Sequence, residues 1–318
     1  MSVLLTGCAG FIGWKVAQKL LERGEVVIGV DNLNDYYDPK LKEWRLSTLQ
    51  SNDRFSFHKE DITDLAAMQN LFETHTFDAV INLAARAGVR ASVEDPWIYY
   101  NTNVTGTLNL LECCQKHHVK KFVLASTSSL YGWNDIPFVE ANNTDRVLSP
   151  YAASKKAAEV LCYTYHYLYQ IDVSIPRFFT VYGPGGRPDM SVFIFLKNIH
   201  EGTPITVFGD GLQQRDFTYV DDIAEGTVRA MKPCGYEIFN LGNNSCVELM
   251  QVIRTLETLL QKKAIINFSP RHPADVLKTH AEIDRAKELF DWQPTVNIEE
   301  GLRRTVEWYF EYQQQQAR

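Results

Sequence analysis

The sequence has no basic block, no run of apolar residues approaching a membrane span, no metal-type cysteine spacing and no internal repeat. Each absence excludes something. Without a membrane-length apolar run, no transmembrane helix is expected. With 32 Lys and Arg against 39 Asp and Glu, a formal net charge of -7 and a pI near 5.7, neither nucleic acid nor an anionic membrane is expected as the main partner. An anionic small ligand would have to be met by local positive charge. The six cysteines, Cys8, Cys113, Cys114, Cys162, Cys234 and Cys246, are scattered, mostly through apolar and helical contexts, so reduced thiols and no metal site are expected. The strand-like SVLLTG begins at Ser2 and leaves no room for a signal peptide, which makes the cytoplasm the expected location. The one low-complexity stretch, Gln313 to Gln316, is expected to be a solvated tail.

What is present is ample material for a core: 45% hydrophobic residues in 318, enough for two domains or one large α/β domain with an excursion. After the first strand, GCAGFIG (Gly7 to Gly13) leads into the helical pattern WKVAQKLLERG, closed by Gly24. Strand, glycine turn and helix in that order suit a dinucleotide: Gly7 for the tight turn, Gly10 for close approach to a pyrophosphate, Gly13 for helix packing. The next strand, EVVIGVD, ends in Asp31, eighteen residues after Gly13, where a carboxylate accepts from the adenosine ribose hydroxyls and repels a 2'-phosphate. Asn32 and Leu33 supply no arginine in its place, so NAD is expected rather than NADP. A third strand, Arg54 to Ile62, carries Asp61 near its end, as an adenine partner or as a cap for the helix starting at Thr63 and Asp64. A fourth, Phe77 to Ala85, runs into small residues. Candidate cofactor contacts are therefore Gly7, Gly10, Phe11, Ile12 and Gly13, then Asp31 and Asn32, Asp61 and Ile62, and finally Leu83, Ala84 and Ala85. A helix from Thr102 to Cys114 and a buried strand from Lys121 to Ser126 continue the alternation, which predicts an α/β fold with a doubly wound parallel sheet of the Rossmann kind.

The fifth strand delivers STSSLYG, a hydroxyl cluster at the carboxyl end of the sheet, where ligands of such folds bind. SPYAASKK (Ser149 to Lys156) follows, with Tyr151 twenty-four residues after Thr127. With Ser149 as N-cap and Pro150 as first helical residue, Tyr151 and Lys155 stand one turn apart on one face. Alone, such a pair is an ordinary surface feature. Beside a glycine turn, a ribose acid and a strand-end hydroxyl, it reads as a base and its cation. A phenol titrating near ~10 must come down by about three units, roughly 4 kcal/mol, to act near neutrality, and an adjacent cation is expected to supply part of that.

At this point the chain resembles an extended short-chain dehydrogenase/reductase over essentially its full length. DNLNDYYD (from Asp31), AGVR (ending at Arg90), RFFTVYGP (from Arg177), GRPDM (from Gly186) and RDFTYVDDI (from Arg215) narrow the resemblance to the UDP-glucuronate 4-epimerase branch of nucleotide-sugar epimerases. The resemblance implies Tyr151 as acid/base, Lys155 on the nicotinamide ribose, Thr127 on the sugar O4, and a homodimer joined through helices holding Val104 to Cys114 and Ala152 to Tyr167. Two departures stand out: PGGR has Gly185 where the branch usually has an aromatic, and Arg271 and His272 replace its usual residues before PADV, which ends at Val276.

Past the strand Ile171 to Phe178 the regular alternation breaks down into loops, aromatics and arginines, expected to form much of a smaller, discontinuous substrate-binding lobe. The division is residues 1–176 with about 222–262 for the NAD-binding domain, and about 177–221 with 263–318 for the lobe. EIFNLG (Glu237 to Gly242) returns to the main sheet, Ser245 to Glu248 reads as a capping box for a helix to Leu260, and Phe268 to Trp292 is expected to close the lobe again. Arg187, Arg215 and Arg271 are expected to converge on a UDP-sugar diphosphate, since the arginine fork donates two parallel bonds. Arg90 and Asp275 are further substrate candidates. Asp221 and Asp222 read as helix caps, not metal ligands. Ser128, Ser129 and Thr180 are expected to clamp a sugar carboxylate. Ser128 and Ser129 beside Thr127, in place of an acid/base pair, disfavour a dehydratase; a UDP-glucose type epimerase, a UDP-glucuronate decarboxylase and a non-catalytic dinucleotide sensor are the alternatives.

Overall fold

A computed structural model describes residues 1–271 and 275–316. β1 (Ser2–Thr6) leads through the glycine turn to α1 (Phe11–Glu22) and β2 (Val26–Val30). α2 (Pro39–Leu49) precedes β3 (Phe55–His58), and α3 (Leu65–Thr74) precedes β4 (Ala79–Asn82). Two short helices, α4 (Ala91–Glu94) and α5 (Pro96–Tyr100), pass through a π-helical segment (Asn101–Thr105) into α6 (Gly106–Lys116). Then come β5 (Lys121–Leu124), β6 (Ser126–Thr127), a 3-10 turn (Ser128–Tyr131), α7 (Pro150–Tyr169) and β7 (Asp172–Phe178). The second half holds β8 (Thr180–Tyr182), α8 (Ser191–Glu201), β9 (Ile205–Phe208), β10 (Gln214–Arg215), β11 (Phe217–Tyr219) and α9 (Val220–Arg229). It ends with β12 (Tyr236–Leu241), β13 (Val247–Glu248), α10 (Leu249–Leu260), β14 (Ile266–Ser269), α11 (Asp284–Phe290) and α12 (Ile298–Gln316).

The main sheet runs β3-β2-β1-β4-β5-β7-β12, all parallel, with β6 pairing β7. Its strands read as unbroken apolar runs because both faces are covered. Val3, Leu5, Val27, Ile81 and Val123 face one core with α1 and α9; Leu4, Ile28, Val80, Phe122 and Val173 face the other with α3, α6 and α7. Strand order reverses between β1 and β4, which opens a crevice at their carboxyl ends.

A third core lies in the smaller lobe, where α8, α10 and α12 bury Leu196, Ile199, Val252, Leu256 and Leu302 together. α10 therefore shares its buried face with the lobe, and a division that leaves it with the nucleotide-binding part, as the sequence suggested, separates it from its packing partners. In the opposite sense, Ile283, Ala286, Phe290 and Trp292 join the main-sheet core, with Trp292 Nε1 donating to the Asp222 carbonyl at 2.8 Å.

Local expectations were displaced where tertiary contacts took over. The third strand ends at His58, because Asp61 turns the chain by accepting from the Thr63 N–H and hydroxyl at 2.9 and 2.8 Å. The helix expected from Thr102 opens as a π turn, and Asn103 within it brackets Arg86, accepting from its N–H at 2.8 Å and donating to its carbonyl at 3.0 Å. The capping box at Ser245 to Glu248 does not form: Val247 and Glu248 pair with β10, and Glu248 precedes α10 without a side-chain cap bond. Asp221 and Asp222 lie inside the first turn of α9 instead of capping it; Asp221 pairs with Lys15, and Asp222 accepts from Thr295 Oγ1 and the Val296 N–H. Among the described residues no group of His, Cys, Asp and Glu converges as a metal site, and no helix is long and apolar enough to cross a membrane.

The fully buried Asp216 ties the two parts together, accepting from the Asn243 N–H at 2.6 Å, the Ala281 N–H at 3.0 Å and Thr218 Oγ1 at 3.1 Å. Asp216→Ala strands those donors, and urea unfolding should show a loss of roughly 2–5 kcal/mol, with a smaller loss for Asp216→Asn.

Candidate active site

The cleft of about 880 Å³ between the strand ends and the lobe collects almost every residue singled out in the sequence. Its floor is the glycine turn. Gly7 has φ +69, and a Cβ there would lie 2.8 Å from the Ala84 N; a Cβ on Gly13 would lie 2.0 Å from the Gly7 carbonyl oxygen. No side chain fits at either place. Gly13 thus packs α1 against the turn, and the first N–H groups of α1 open onto the cleft with no acidic residue in the first turn to fill them. A pyrophosphate fits that helix end by charge and by space.

Asp31 is buried at the end of β2, accepting from the Leu33 N–H at 2.8 Å and the Ala9 N–H at 3.3 Å, with Lys42 Nζ 3.6 Å away. Asn32 Nδ2 donates to Asp61 at 2.7 Å. Burial pushes the Asp61 carboxyl up, but the Thr63 and Asn32 bonds outweigh it and hold the group below its ordinary value. Both Asp61 oxygens are engaged locally, so its first task is to shape the turn that presents Ile62. Ile62, Leu83, Ala84 and Ala85 line the same wall. A dinucleotide can therefore lie extended from Asp31 across the glycine turn to Tyr151.

At the other end, Ser149 caps α7 by accepting from the Ala152 N–H at 3.2 Å, and Pro150 is the first helical residue. Tyr151 and Lys155 both face the cleft. Burial pushes the Tyr151 phenol up; the Thr127 hydroxyl and Arg187 pull it back, leaving it above its ordinary value. Burial brings Lys155 down to about 8, against the pull of Glu159 one turn on. A second cation, which the sequence reading did not pair with the phenol, acts on Tyr151: Arg187 draws it down.

Thr127 heads the 3-10 turn, its hydroxyl accepting from the Ser129 N–H at 3.1 Å and donating to Ser129 Oγ at 3.2 Å. Ser128, Ser129 and Thr180 line the cleft around it. Arg187 is held by Asp189 and lies over the Tyr36 ring at 5.4 Å. Arg215 sits at the far end near the Arg90–Asp275 pair, where Arg90 covers the Phe208 ring at 3.8 Å. The arginines thus form two stations instead of one convergent cluster. Arg271 is exposed, its Cβ beside Gly209 and outside the cleft lining. His272 lies outside the described residues. The departure at Gly185 has a physical reason: a Cβ there would meet the Trp14 ring at 2.5 Å, so an aromatic from α1 already fills the space.

Sequence reasoning gave no role to Tyr36, Lys42, Arg45 and Glu159. Tyr36 OH donates to the Ala87 carbonyl at 3.0 Å and lines the cleft with Lys42. Glu159 receives Arg177 through Nε and NH2 at 3.0 and 2.8 Å and Ser126 Oγ at 2.6 Å. Its spacing of eight from Tyr151 was the available signal, since two turns return to the same face of α7.

The profile of the NAD dependent epimerase/dehydratase family matches residues 3–242. The chain is 56% identical over 306 residues to a UDP-glucuronate 4-epimerase of Thermodesulfobacterium geofontis, covering 96% of this chain and 95% of the relative. The crystal structure of the UDP-glucuronic acid 4-epimerase of Bacillus cereus with UDP-glucuronic acid and NAD superposes with TM-score 0.92 at 37% identity, covering 98% of this chain and all of that one. The UDP-glucose 4-epimerase of Thermotoga maritima with UDP-glucose superposes with TM-score 0.89 at 32% identity, over 98% of this chain and all of that one. A glycine-turn sheet with a tyrosine-lysine helix, matched along nearly its whole length by such relatives, places this chain in the NAD dependent epimerase/dehydratase family.

Proposed function

We propose that the chain interconverts UDP-glucuronate and UDP-galacturonate through a 4-keto intermediate, with NAD as resident cofactor. The observation that carries the choice of sugar is the character of the cleft around Tyr151. Hydroxyls of Thr127, Ser128, Ser129 and Thr180 meet the Arg187 cation there, and the acid among them, Asp189, is committed to Arg187. Such a lining suits a hexose bearing a carboxylate, and the 56% identical relative supports the same reading. Tyr151 takes the proton from O4 as the C4–H bond breaks, and Thr127 holds O4 in line. Bound NAD supplies a hydride acceptor at C4 and returns the hydride to the opposite face. Between those events the ketone turns over in the cleft. A 4-keto glucuronate is a β-keto acid, so the protein must hold its carboxylate out of line with the carbonyl π system to keep carbon dioxide in place. Hydroxyl donors suit that restraint better than a proton-donating acid does.

At the far end, Arg215 and Arg90 offer charge to the diphosphate, with Phe208 beside them for the uracil ring. A homodimer is part of the proposal. The outer face of α7 exposes Val160, Tyr163, Tyr167 and Leu168, and neighbouring α5 exposes Trp97 at 82%. A cytoplasmic location completes the reading.

Incubation of purified protein with UDP-glucuronate, followed by proton NMR, should give UDP-galacturonate; a pentose product or no reaction rejects the proposal, and turnover of UDP-glucose alone moves it to the glucose type. Thr180→Val should raise the ratio of pentose to epimer, and an unchanged ratio removes Thr180 from the clamp. Since the base must be deprotonated, the rate falls on the acid side of the phenol pKa. Arg187 lowers that pKa, so Arg187→Gln should move the acid limb of the kcat profile to higher pH. Sedimentation equilibrium should give twice the 36.4 kDa chain mass, and Tyr167→Glu should shift the population toward monomer.

A further inference from the structure

The reaction as derived leaves Arg45 of α2 without a task, although it is fully buried. Its NH1 donates to the Ala9 carbonyl at 2.9 Å and to Tyr37 OH at 2.7 Å, and its NH2 donates to the Gly185 carbonyl at 2.7 Å. Nε has no partner, and no carboxylate forms an ion pair with the guanidinium among the described residues. A buried, unpaired cation is costly to keep for packing alone.

The two carbonyls belong to the two loops that flank the cleft. Ala9 lies between Gly7 and Gly10 in the turn beneath the cofactor site, and Gly185 is two residues before Arg187. Gly185 has φ +72 and rests on the Trp14 ring. Trp14 is itself fixed to α2, with Nε1 donating to Thr48 Oγ1 at 2.8 Å and its ring 5.2 Å from that of Trp44. The sugar-side loop thus has a floor from α1 and a latch from α2, and both elements also define the glycine turn.

We propose that Arg45 is a positioning residue: by bonding the Ala9 and Gly185 carbonyls at once, it makes the placement of Arg187 beside Tyr151 depend on the geometry of the glycine turn. Cofactor and sugar nucleotide then bind with a coupling that Arg45 carries, because ordering either loop orders the other. The planar fork matters. Arg45→Lys keeps the charge but reaches only one carbonyl at a time.

The inference uses the proposed epimerisation only as a readout, so the parent protein decides that reading and the variants decide this one. NAD-loaded parent, Arg45→Met, Arg45→Lys, Arg187→Gln and the Arg45→Met/Arg187→Gln double variant are compared with whichever of UDP-glucuronate and UDP-glucose the parent turns over. If it turns over neither, their calorimetric affinities for UDP-glucuronate are compared instead. Arg45→Met should lower kcat/KM or affinity by about ten- to a hundredfold, as misplacement of a substrate contact does. NAD retained per chain after gel filtration should also fall. Arg45→Lys should not restore either value. With NAD kept saturating, the double variant should be no worse than Arg187→Gln alone, since both then act on one contact. Should Arg45→Met fail to fold, Tyr37→Phe removes one bond of the latch and should give about a two- to tenfold loss that likewise vanishes on an Arg187→Gln background. Losses that multiply in the double variant, or a fully active Arg45→Lys, overturn the proposal.

Discussion

The close approach of the backbone at Gly7 is the constraint from which the rest of the structure follows. There the chain leaves β1 so near to Ala84 beyond β4, and so near to Gly13 in α1, that no Cβ can stand at Gly7 or Gly13. The Gly7 N–H donates to the Val30 carbonyl at 2.7 Å, which fastens the turn to the end of β2 as well. Three strand ends and a helix start are thereby brought to one point. The crevice of a doubly wound sheet opens at that point, and the unpaired N–H groups of α1 face into it. Placing the cofactor, the ribose acid and the hydroxyl cluster is then a matter of which strand ends next to it.

A second set of contacts holds the reactive helix at the right height. Arg177 on β7 grips Glu159 on α7 with two bonds, Ser126 on β6 donates to the same carboxylate, and Tyr131 stacks at 5.0 Å from Arg177 while donating to Asn240 at 2.6 Å. Arg177 and Glu159 are each 2% exposed, so neither charge has water to fall back on. Removing one partner of such a pair typically costs about 3–5 kcal/mol, because the other is left buried and alone. The same carboxylate raises the Lys155 ammonium against burial. One group therefore fixes the height of α7 and supports the charge that faces the cleft.

How much of this was legible in the sequence follows the range of the interactions. Gly7, Asp31, Ser149, Tyr151 and Lys155 were legible because turns, caps and one-turn spacings are local, and the chain spells them in consecutive residues. The Ser245 to Glu248 capping box was equally well spelled and did not form, because Gln214 and Arg215 of β10, far upstream in the chain, supplied a competing pairing partner. Arg187 and Arg215 were recognisable as cations for an anionic ligand, but their separation into two stations depends on where β8 and β10 leave the lobe. Arg45 carried no signal of its own. One more cation in a charged helix such as PKLKEWRLSTL reads as a solvated charge, and only the folded chain shows two loop carbonyls waiting on either side of it.

The electrostatics of the site give the fold a reason to keep both loops in register. Burial drives Tyr151 toward its neutral form and Lys155 toward its own, so the protein by itself disfavours the ionised state that proton abstraction needs. The opposing influences come from elsewhere: Thr127 from β6, Glu159 from the next turn of α7, and Arg187 from a loop of the other lobe. Of these, the first two sit on the rigid sheet and helix, whereas the Arg187 loop is held by a glycine, an indole floor and the buried latch. A base tuned by a loop is strongest as a base when that loop is free and most readily ionised when it is closed. Fixing Arg187 through the turn beneath the cofactor therefore links the ionisation of Tyr151 to the state of the cofactor site, and confines the ionised phenolate to the geometry in which O4 can meet it.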